Sequence, residues 1–291
     1  MRQKIREVDL EIFELKRLKE PPKKLYFKGD LSLINSRKIS IVGSRKMSVY
    51  TKDQVSALSA KLSNAGIVVV SGGALGVDIA AAKAAMPRTI GVFANSLDTL
   101  YPKNNALVIS DIYDKGLALS EYEATHTPSK YEFLYRNRLV VALGEVLVIA
   151  QADFKSGSLQ SARLAKEQGK KVFVLPQRLG ESDGTNALVA KADATLIWDL
   201  DAFVRDFVAC KYSSPLELDL AQSSPFIEEC KKTFSHPNCA SSAKSDLELE
   251  LDEVLKTPQS LDFMLEKYSD ALYEYELAGL LRIDGVLVKR S

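Results

Sequence analysis

Short apolar segments that alternate with helical segments constrain the fold of this chain more than any other feature. Runs rich in Val, Ile and Leu recur at 38–43, 67–71, 89–93, 116–120, 145–150, 170–175 and 194–198. Segments with a helical spacing of apolar residues separate them, at 49–66, 77–86, 104–114, 133–143, 157–168 and 201–208. Continuous apolar runs are typical of strands buried on both faces. The alternation therefore predicts an α/β fold with a doubly wound, mostly parallel sheet over residues 38–210.

Segments of different character flank this region. Residues 1–37 are expected to be helical or extended, and the first 25 or so predict a short amphipathic helix that ends at Pro21-Pro22. Residues 211–245 are rich in Ser and Pro and predict a linker. From residue 246 to 291 a helical pattern precedes two apolar segments around Asp284-Gly285, which is a hairpin signal. Helices followed by a hairpin predict a small winged-helix-like C-terminal domain.

Charge is distributed unevenly along the chain. Residues 1–212 contain 31 Lys and Arg against 23 Asp and Glu, a net charge of +8. Residues 213–291 contain 8 against 15, a net charge of −7. Such a basic part favours a polyanionic partner, although charges scattered over solvated faces would give the same totals.

The sequence carries no signal for a membrane or a metal. No apolar run reaches the ~18 residues of a membrane span, and the N-terminal stretch is charged throughout. A cytoplasmic protein without a membrane partner is expected. Cys210, Cys230, Cys239 and His236 have a spacing that zinc sites do not use, and the chain has two histidines. We therefore expect reduced cysteines and neither a metal nor a cofactor.

Two predicted strands end in small-residue turns that open a helix. Gly43-Ser44-Arg45-Lys46 follows the first strand, and Ser71–Gly76 (SGGALG) follows the second. Glycines let the main chain approach a ligand, and a helix N-terminus directs N–H groups at an anion. SGGALG is therefore expected to hold a phosphate, although tight packing of strand against helix also explains its glycines. Neither turn has the G-x-G-x-x-G pattern of a dinucleotide site or the lysine of a P-loop.

Cations and aromatic rings are interleaved further along the chain. Residues 130–138 contain Lys130, Tyr131, Phe133, Tyr135, Arg136 and Arg138, and Lys155 precedes another predicted helix. Lys and Arg neutralise phosphates, and aromatic rings stack on unpaired bases. Loops that follow parallel strands share one edge of the sheet, so several phosphate-binding loops there suit a nucleic-acid strand better than a single nucleotide. Core packing is the alternative for the aromatic residues, above all for Tyr135.

Seven segments of this region resemble the DNA-processing protein A family, also called DprA or Smf. They are IVGSRK, VSGGALGVDIAAAKAA, SLDTLYPKNN, LSEYEATHTP, FLYRNRLVVAL, SGSLQSARLAKEQGKKVFVLP and SDGTNALV, in that order over residues 38–200. The resemblance implies an extended Rossmann-like fold. It also implies a non-enzymatic homodimer of natural transformation that binds and protects single-stranded DNA and loads the RecA recombinase onto it.

The resemblance and the loops together give a set of predicted DNA contacts. Those in the first two turns are Gly43, Ser44, Arg45, Lys46, Ser71, Gly72, Gly73 and Gly76. Those further along are Lys130, Phe133, Arg136, Asn137, Arg138, Lys155, Ser156, Gly157 and Ser158. The chain departs from the family at Gln177, where Gly is frequent, and at Gly144, where Ser is common. The acid surplus of the C-terminal segment argues against duplex-DNA binding there.

A nucleotide-processing hydrolase is the competing reading. Related Rossmann proteins that cleave nucleoside monophosphates carry a similar glycine-rich loop, usually followed by a glutamate. Here Asp78 stands in that region, and no paired carboxylates suited to acid–base chemistry stand out. Asp78 is instead expected to brace the loop through main-chain N–H groups.

Overall fold

The computed structural model describes residues 4–9, 12–126, 128–154 and 156–209, together with short strands at 259–260, 281–284 and 287–290. The chain divides into two compact units, Met1–Lys211 and Tyr212–Ser291. Among the described residues, no helix has the length and apolar character needed to cross a bilayer.

A nine-stranded sheet forms the centre of the first unit. Its strands are β1 (Arg6–Glu7), β2 (Tyr26–Gly29), β3 (Lys38–Val42), β4 (Val68–Ser71), β5 (Thr89–Phe93), β6 (Leu117–Ser120), β7 (Leu147–Ile149), β8 (Val172–Val174) and β9 (Thr195–Leu196). Their order across the sheet is β1-β2-β6-β5-β4-β3-β7-β8-β9. Strands β3 to β9 pair in parallel, whereas β1 and β2 add an antiparallel end. The α/β fold with a mostly parallel sheet is thus confirmed.

Eight α-helices lie among the described residues of the first unit, and the second to the seventh connect the parallel strands. They are α1 (Phe13–Lys16), α2 (Val49–Asn64), α3 (Val77–Ala85), α4 (Ala106–Lys115), α5 (Lys130–Leu143), α6 (Gly157–Glu167), α7 (Asp183–Ala190) and α8 (Leu200–Ala209). Two 3₁₀ turns lie at Leu31–Asn35 and Lys103–Asn105.

The strand order reverses at β3. The chain runs from β3 through β4, β5 and β6 in one direction, then returns to the other side of β3 with β7, β8 and β9. In open parallel sheets the crevice outside the carboxyl ends of the strands at such a reversal is the usual ligand site. The loops after β3, β4 and β7 surround that point.

The N-terminal segment differs from its prediction. The helix expected over the first 25 or so residues is wrong for most of that length, because among the described residues only α1 is helical there. Strand β2 follows instead and pairs antiparallel with β6, from Tyr26 opposite Ser120 to Gly29 opposite Leu117. Tyr26 and Phe27 are buried in this pairing. The strand has only four residues, YFKG, and one of them is a lysine, so the sequence pattern was too short to predict it.

The start of one helix and the presence of another also differ from the sequence patterns. Helix α5 begins at Lys130 and not at 133, because Ser129 and Glu132 form a capping box there. Helix α7 occupies Asp183–Ala190, where the sequence pattern predicts no helix. Its second residue is Gly184, and a Cβ atom there would lie 2.6 Å from the Ala152 carbonyl oxygen. Close packing against the loop after β7 therefore explains a glycine that reads as a helix breaker.

The second unit contains a small described sheet. Strands β10 (Gln259–Ser260), β11 (Leu281–Asp284) and β12 (Leu287–Arg290) form it in the order β10-β12-β11. Asp284 lies opposite Leu287 in an antiparallel pair, so the hairpin predicted at Asp284-Gly285 is present. The predicted linker at 211–245 and the helices of the winged-helix-like domain lie outside the described residues.

Candidate nucleic-acid interface

Three of the loops at the carboxyl edge are joined by amide side chains. Gln151, after β7, accepts a hydrogen bond from the Ser48 N–H (2.9 Å) and donates one to the Glu181 carbonyl (3.2 Å). Gln177, after β8, donates to the Ala150 carbonyl (2.7 Å). The loops after β3, β7 and β8 therefore form one connected rim, and Gln177, where the family often has Gly, is one of its connections.

The glycine loop, Ser71–Gly76, lies directly against the loop after β3. Gly76 has φ +81°, and a Cβ atom there would collide with the Ser44 carbonyl oxygen and lie 2.7 Å from the Arg45 Cα. Gly73 has φ +66°, and its Cβ would lie 2.6 Å from the Phe93 ring. Both positions require glycine because of the positive φ and because of the close approach. Close packing therefore explains why both residues are glycines. The same packing places Arg45 beside the glycine loop.

Asp78 stabilises the glycine loop through a main-chain N–H group, as predicted. Its Oδ2 accepts the Gly72 N–H (3.1 Å), and its carbonyl accepts the Ser71 hydroxyl (3.1 Å). Burial raises the pKa of the Asp78 carboxyl, and the neighbouring Arg136 opposes that shift. The Gly72 amide is occupied by this carboxylate and is not open to a phosphate.

Arg136 supports the same loop from α5. Its guanidinium is buried and donates to the carbonyl oxygens of Gly72 and Val92. Burial lowers the pKa of Arg136 to about 10, with Asp78 acting in the opposite direction, so the group is charged at neutral pH. A predicted phosphate contact by Arg136 would require these bonds to be given up.

Arg138 also points away from the solvent. It is buried, it bonds Glu121 Oε1 at 2.5 Å, and its guanidinium carbon lies 4.1 Å from the Tyr135 ring centroid. The two arginines predicted to face DNA thus hold the loops after β4 and β6 in place.

A cluster of one exposed cation, one exposed ring and one half-buried ring, that of Phe133, lies beside the glycine loop. The Arg45 guanidinium carbon is 5.8 Å from the Phe133 ring centroid, within cation–π range. The ring of Tyr101 lies 5.9 Å from that of Phe133, tilted by 38°. Arg45 is exposed, and Tyr101 retains 45% of its surface. We call these three residues the Arg45 cluster.

The remaining predicted residues have varied positions. Ser71 and Gly73 are buried, Gly43, Ser44 and Asn137 are half-buried, and Lys46 is exposed. Ser156, Gly157 and Ser158 form the N-terminal end of α6. Lys155 and the side chain of Lys130 lie outside what the structure describes.

Tyr101 is the residue that sequence reasoning missed. It follows β5 in the segment SLDTLYPKNN, which resembles the family but contains none of the predicted DNA contacts. The sequence contained the information needed to predict this contact, because an aromatic residue in a loop after a parallel strand lies on the same edge of the sheet as the other loops.

The described residues contain no group of three His, Cys, Asp or Glu side chains able to hold a metal ion. Cys210, Cys230, Cys239 and His236 lie outside those residues.

Comparison with known proteins gives a consistent group of relatives. The model of the family described as DNA recombination-mediator protein A matches residues 12–208. DNA processing protein DprA of Bacillus subtilis is 39% identical over 171 residues, which cover 57% of this chain and 58% of the relative. DprA of Streptococcus pneumoniae is 36% identical over 182 residues, covering 61% and 64%. The chain thus spans about three fifths of these relatives.

Two solved structures extend the comparison. DNA processing protein A from Helicobacter pylori, studied for its single-stranded DNA binding mode, shares 47% identity, with a TM-score of 0.70 over 71% of this chain and 97% of that one. The X-ray structure of DprA from Streptococcus pneumoniae shares 33% identity, with a TM-score of 0.66 over 70% and 75%.

Proposed function

Because this chain belongs to the DNA recombination-mediator protein A family, we propose that it binds single-stranded DNA along the carboxyl edge of its parallel sheet. The observation that carries the proposal is the Arg45 cluster next to the glycine loop. Arg45 supplies a phosphate contact, and Phe133 and Tyr101 supply ring faces on which unpaired bases stack. The likeness to a Helicobacter pylori protein studied for single-stranded DNA binding supports the same partner.

The mode of binding follows from these groups. Phosphate contacts and ring faces are present on every nucleotide, so they select an unpaired strand without selecting a sequence. In a duplex the bases are stacked on one another and their faces are closed to Phe133 and Tyr101. Single strands should therefore bind more tightly than duplexes of the same length.

In the cell, we propose, the protein is a cytoplasmic DNA-processing factor of natural transformation that catalyses no reaction. It protects the incoming strand and loads the RecA recombinase onto it. The names of the relatives support DNA processing, and RecA is carried over from the family resemblance.

The proposal includes a homodimer. Strand β9 is an edge strand of the nine-stranded sheet, Leu196 in it is 40% exposed, and Trp198 just after it is 79% exposed. Exposed apolar groups at a sheet edge suit a two-fold, self-complementary contact. Light scattering at micromolar concentration should give twice the mass of the chain, and a monomer would contradict the dimer.

A direct binding experiment tests the central proposal. Fluorescence anisotropy is measured with a labelled single strand, with the duplex of that strand, and with a second single strand of mixed sequence. Both single strands should bind tightly, and the duplex should bind more weakly. Equal binding to strand and duplex would contradict the proposal. Incubation with nucleoside monophosphates should release no base, since release would identify a hydrolase.

A further inference from the structure

His126 contacts both segments that supply the rings of the Arg45 cluster. Tyr101 lies in the loop after β5, and Phe133 lies in the first turn of α5. His126 lies in the loop after β6, which leads into α5. Its main chain is bonded to the first of these segments, and its side chain lies against the second.

The main chain at His126 is bonded to the loop after β5. The Thr125 N–H donates to Asp98 Oδ2 (2.9 Å), and the His126 carbonyl accepts the Ser96 hydroxyl (3.2 Å). Thr125 has φ +71°, a left-handed conformation that residues other than glycine rarely adopt. These two bonds therefore hold a strained turn against the loop that carries Tyr101.

The side chain of His126 lies against the start of α5. Its Nε2 is 3.0 Å from Glu132 Oε1, and Glu132 Oε2 accepts the Ser129 N–H (2.6 Å) in the capping box of the helix. Burial raises the pKa of the Glu132 carboxyl, but hydrogen bonding to Ser129 and His126 outweighs it, so the pKa lies below its ordinary value. Glu132 is thus a carboxylate at neutral pH, and it joins His126 to the turn that contains Phe133.

The strength of this contact depends on a proton, because only the protonated imidazole carries a charge that attracts the carboxylate. Tyr122 stacks on the His126 ring, with centroids 4.2 Å apart and an interplanar angle of 6°. Charged groups on four elements lie around these two rings: Glu132 and Arg138 on α5, Glu121 in the loop after β6, Asp98 in the loop after β5 and Lys28 on β2. Arg138 is paired with Glu121, and Lys28 donates to the Leu97 carbonyl (2.5 Å). Glu132 is the charged group in contact with the imidazole.

We propose that His126 is a positioning residue of the single-strand site, and that its protonation tightens the pair of rings formed by Tyr101 and Phe133. This rests on the proposed function, because the rings must first be the faces on which bases stack. A strand that binds to rings already in place does not have to order them, so its affinity is higher. Affinity should therefore rise as the pH falls through the range in which histidine side chains titrate.

The test titrates the full chain with labelled oligo-dT at about pH 5.5 and about pH 8. Thymine and the phosphodiester do not titrate between these values. We expect binding to be about threefold tighter at the lower pH, as a partly exposed ion pair provides. Equal affinities would overturn the inference and leave the proposed function standing, whereas failure to bind at either pH would overturn both.

The salt dependence distinguishes positioning from direct contact. If His126 acts through the rings, the slope of log affinity against log salt should be the same at both pH values. A slope steeper by about 0.7 at the lower pH would mean that the imidazolium itself meets a phosphate, and would overturn the positioning role.

Three variants locate the effect. His126→Gln cannot titrate, and Glu132→Gln keeps an oxygen for the Ser129 N–H but loses the charge. Each should bind equally at the two pH values, close to the parent at about pH 8. His236→Gln changes the other histidine of the chain and should keep the parent dependence on pH. Thermal melts check folding, and a parent-like dependence in folded His126→Gln would overturn the inference.

NMR of the parent tests the same point without relying on a substituted site. The chain has two histidines, so the spectrum of His236→Gln assigns both imidazole signals. Because coupling between two binding events is reciprocal, oligo-dT should favour the protonated form of His126. Its signal should therefore titrate at a higher pH with the strand bound than without it, and an unchanged midpoint would overturn the inference.

Discussion

Arg45 is the residue on which phosphate binding is most directly tested. It is exposed beside the glycine loop, and its planar guanidinium can hold a phosphate through two hydrogen bonds where a lysine is a point charge. We expect Arg45→Ala to weaken single-strand binding and to reduce the slope of log affinity against log salt by about 0.7. Arg45→Lys should restore the slope and only part of the affinity. Titrations at several salt concentrations measure both, and an unchanged Arg45→Ala would place the site elsewhere.

Phe133 tests stacking separately from charge. Its ring contributes a face for a base, so Phe133→Ala should cost about 1–3 kcal/mol of binding free energy if that face is fully used. Because no charge is lost, the salt slope should stay at the parent value. Labelled oligo-dT gives the affinity and a thermal melt gives the folding control. A changed slope with intact folding would mean that Phe133 acts by positioning Arg45.

Arg136 and Arg138 lie in positions that the sequence pattern did not predict. Arg136 and Arg138 were predicted as phosphate contacts because cations near aromatic residues are typical of nucleic-acid sites. The structure buries both, on main-chain carbonyls and on Glu121 respectively. The acceptors that bury these two guanidinium groups lie far away in the sequence, at Gly72, Val92 and Glu121, so the local pattern of α5 could not distinguish buried cations from solvent-facing ones.

At the scale of elements, the packing of the glycine loop against the loop after β3 determines the position of Arg45. Gly76→Ala should place a Cβ against the Ser44 carbonyl oxygen at a positive φ, so we expect a stability loss above the roughly 1–3 kcal/mol of backbone strain alone. DNA binding should fall as well, because the loop after β3 carries Arg45. Urea unfolding and anisotropy measure the two effects.

Gly66→Ala is the matched control. Gly66 has φ +82°, but its Cβ would meet nothing within 4 Å. It should lose roughly 1–2 kcal/mol of stability and bind DNA like the parent. If both variants lost DNA binding equally, general destabilisation and not the loop would explain the loss.

Helix α5 depends on a half-buried lysine at its carboxyl end. Lys170 donates to the carbonyls of Val141, Ala142 and Gly144, which the helix leaves unpaired. Lys170→Met removes the donor, so we expect a stability loss of about 1–3 kcal/mol at neutral pH, measured by urea unfolding. An unchanged midpoint would show that water serves these carbonyls equally well.

The same residue gives a pH dependence. Burial lowers the pKa of Lys170 to about 8 from 10.5. Between these values the unfolded chain holds a proton that the folded chain has released, so stability attributable to Lys170 rises with pH across that window. The difference in unfolding free energy between parent and Lys170→Met should therefore grow from pH 8 to 10.5. A constant difference would contradict the lowered pKa.

The sequence predicts helices and strands correctly where the apolar pattern is long and lies within the element itself. The parallel strands β3 to β9, helices α2 to α6 and helix α8 follow from apolar runs and helical spacing in the sequence. Strand β2 and helix α7 did not, because each is fixed by a distant partner: β6 for Tyr26, and the Ala152 carbonyl for Gly184. Short elements acquire their conformation from packing that a local pattern does not contain.

At the scale of the whole molecule, the two compact units should separate in function. Every residue of the Arg45 cluster and of the glycine loop lies in Met1–Lys211, whereas residues 213–291 carry a net charge of −7. Like charge repels phosphate, so the C-terminal unit should add nothing to single-strand affinity. A chain that ends at Lys211 should fold, with a cooperative melt, and should bind oligo-dT within about twofold of the full chain. A large loss of affinity with an intact melt and an unchanged oligomeric state would mean that part of the DNA site lies beyond residue 211.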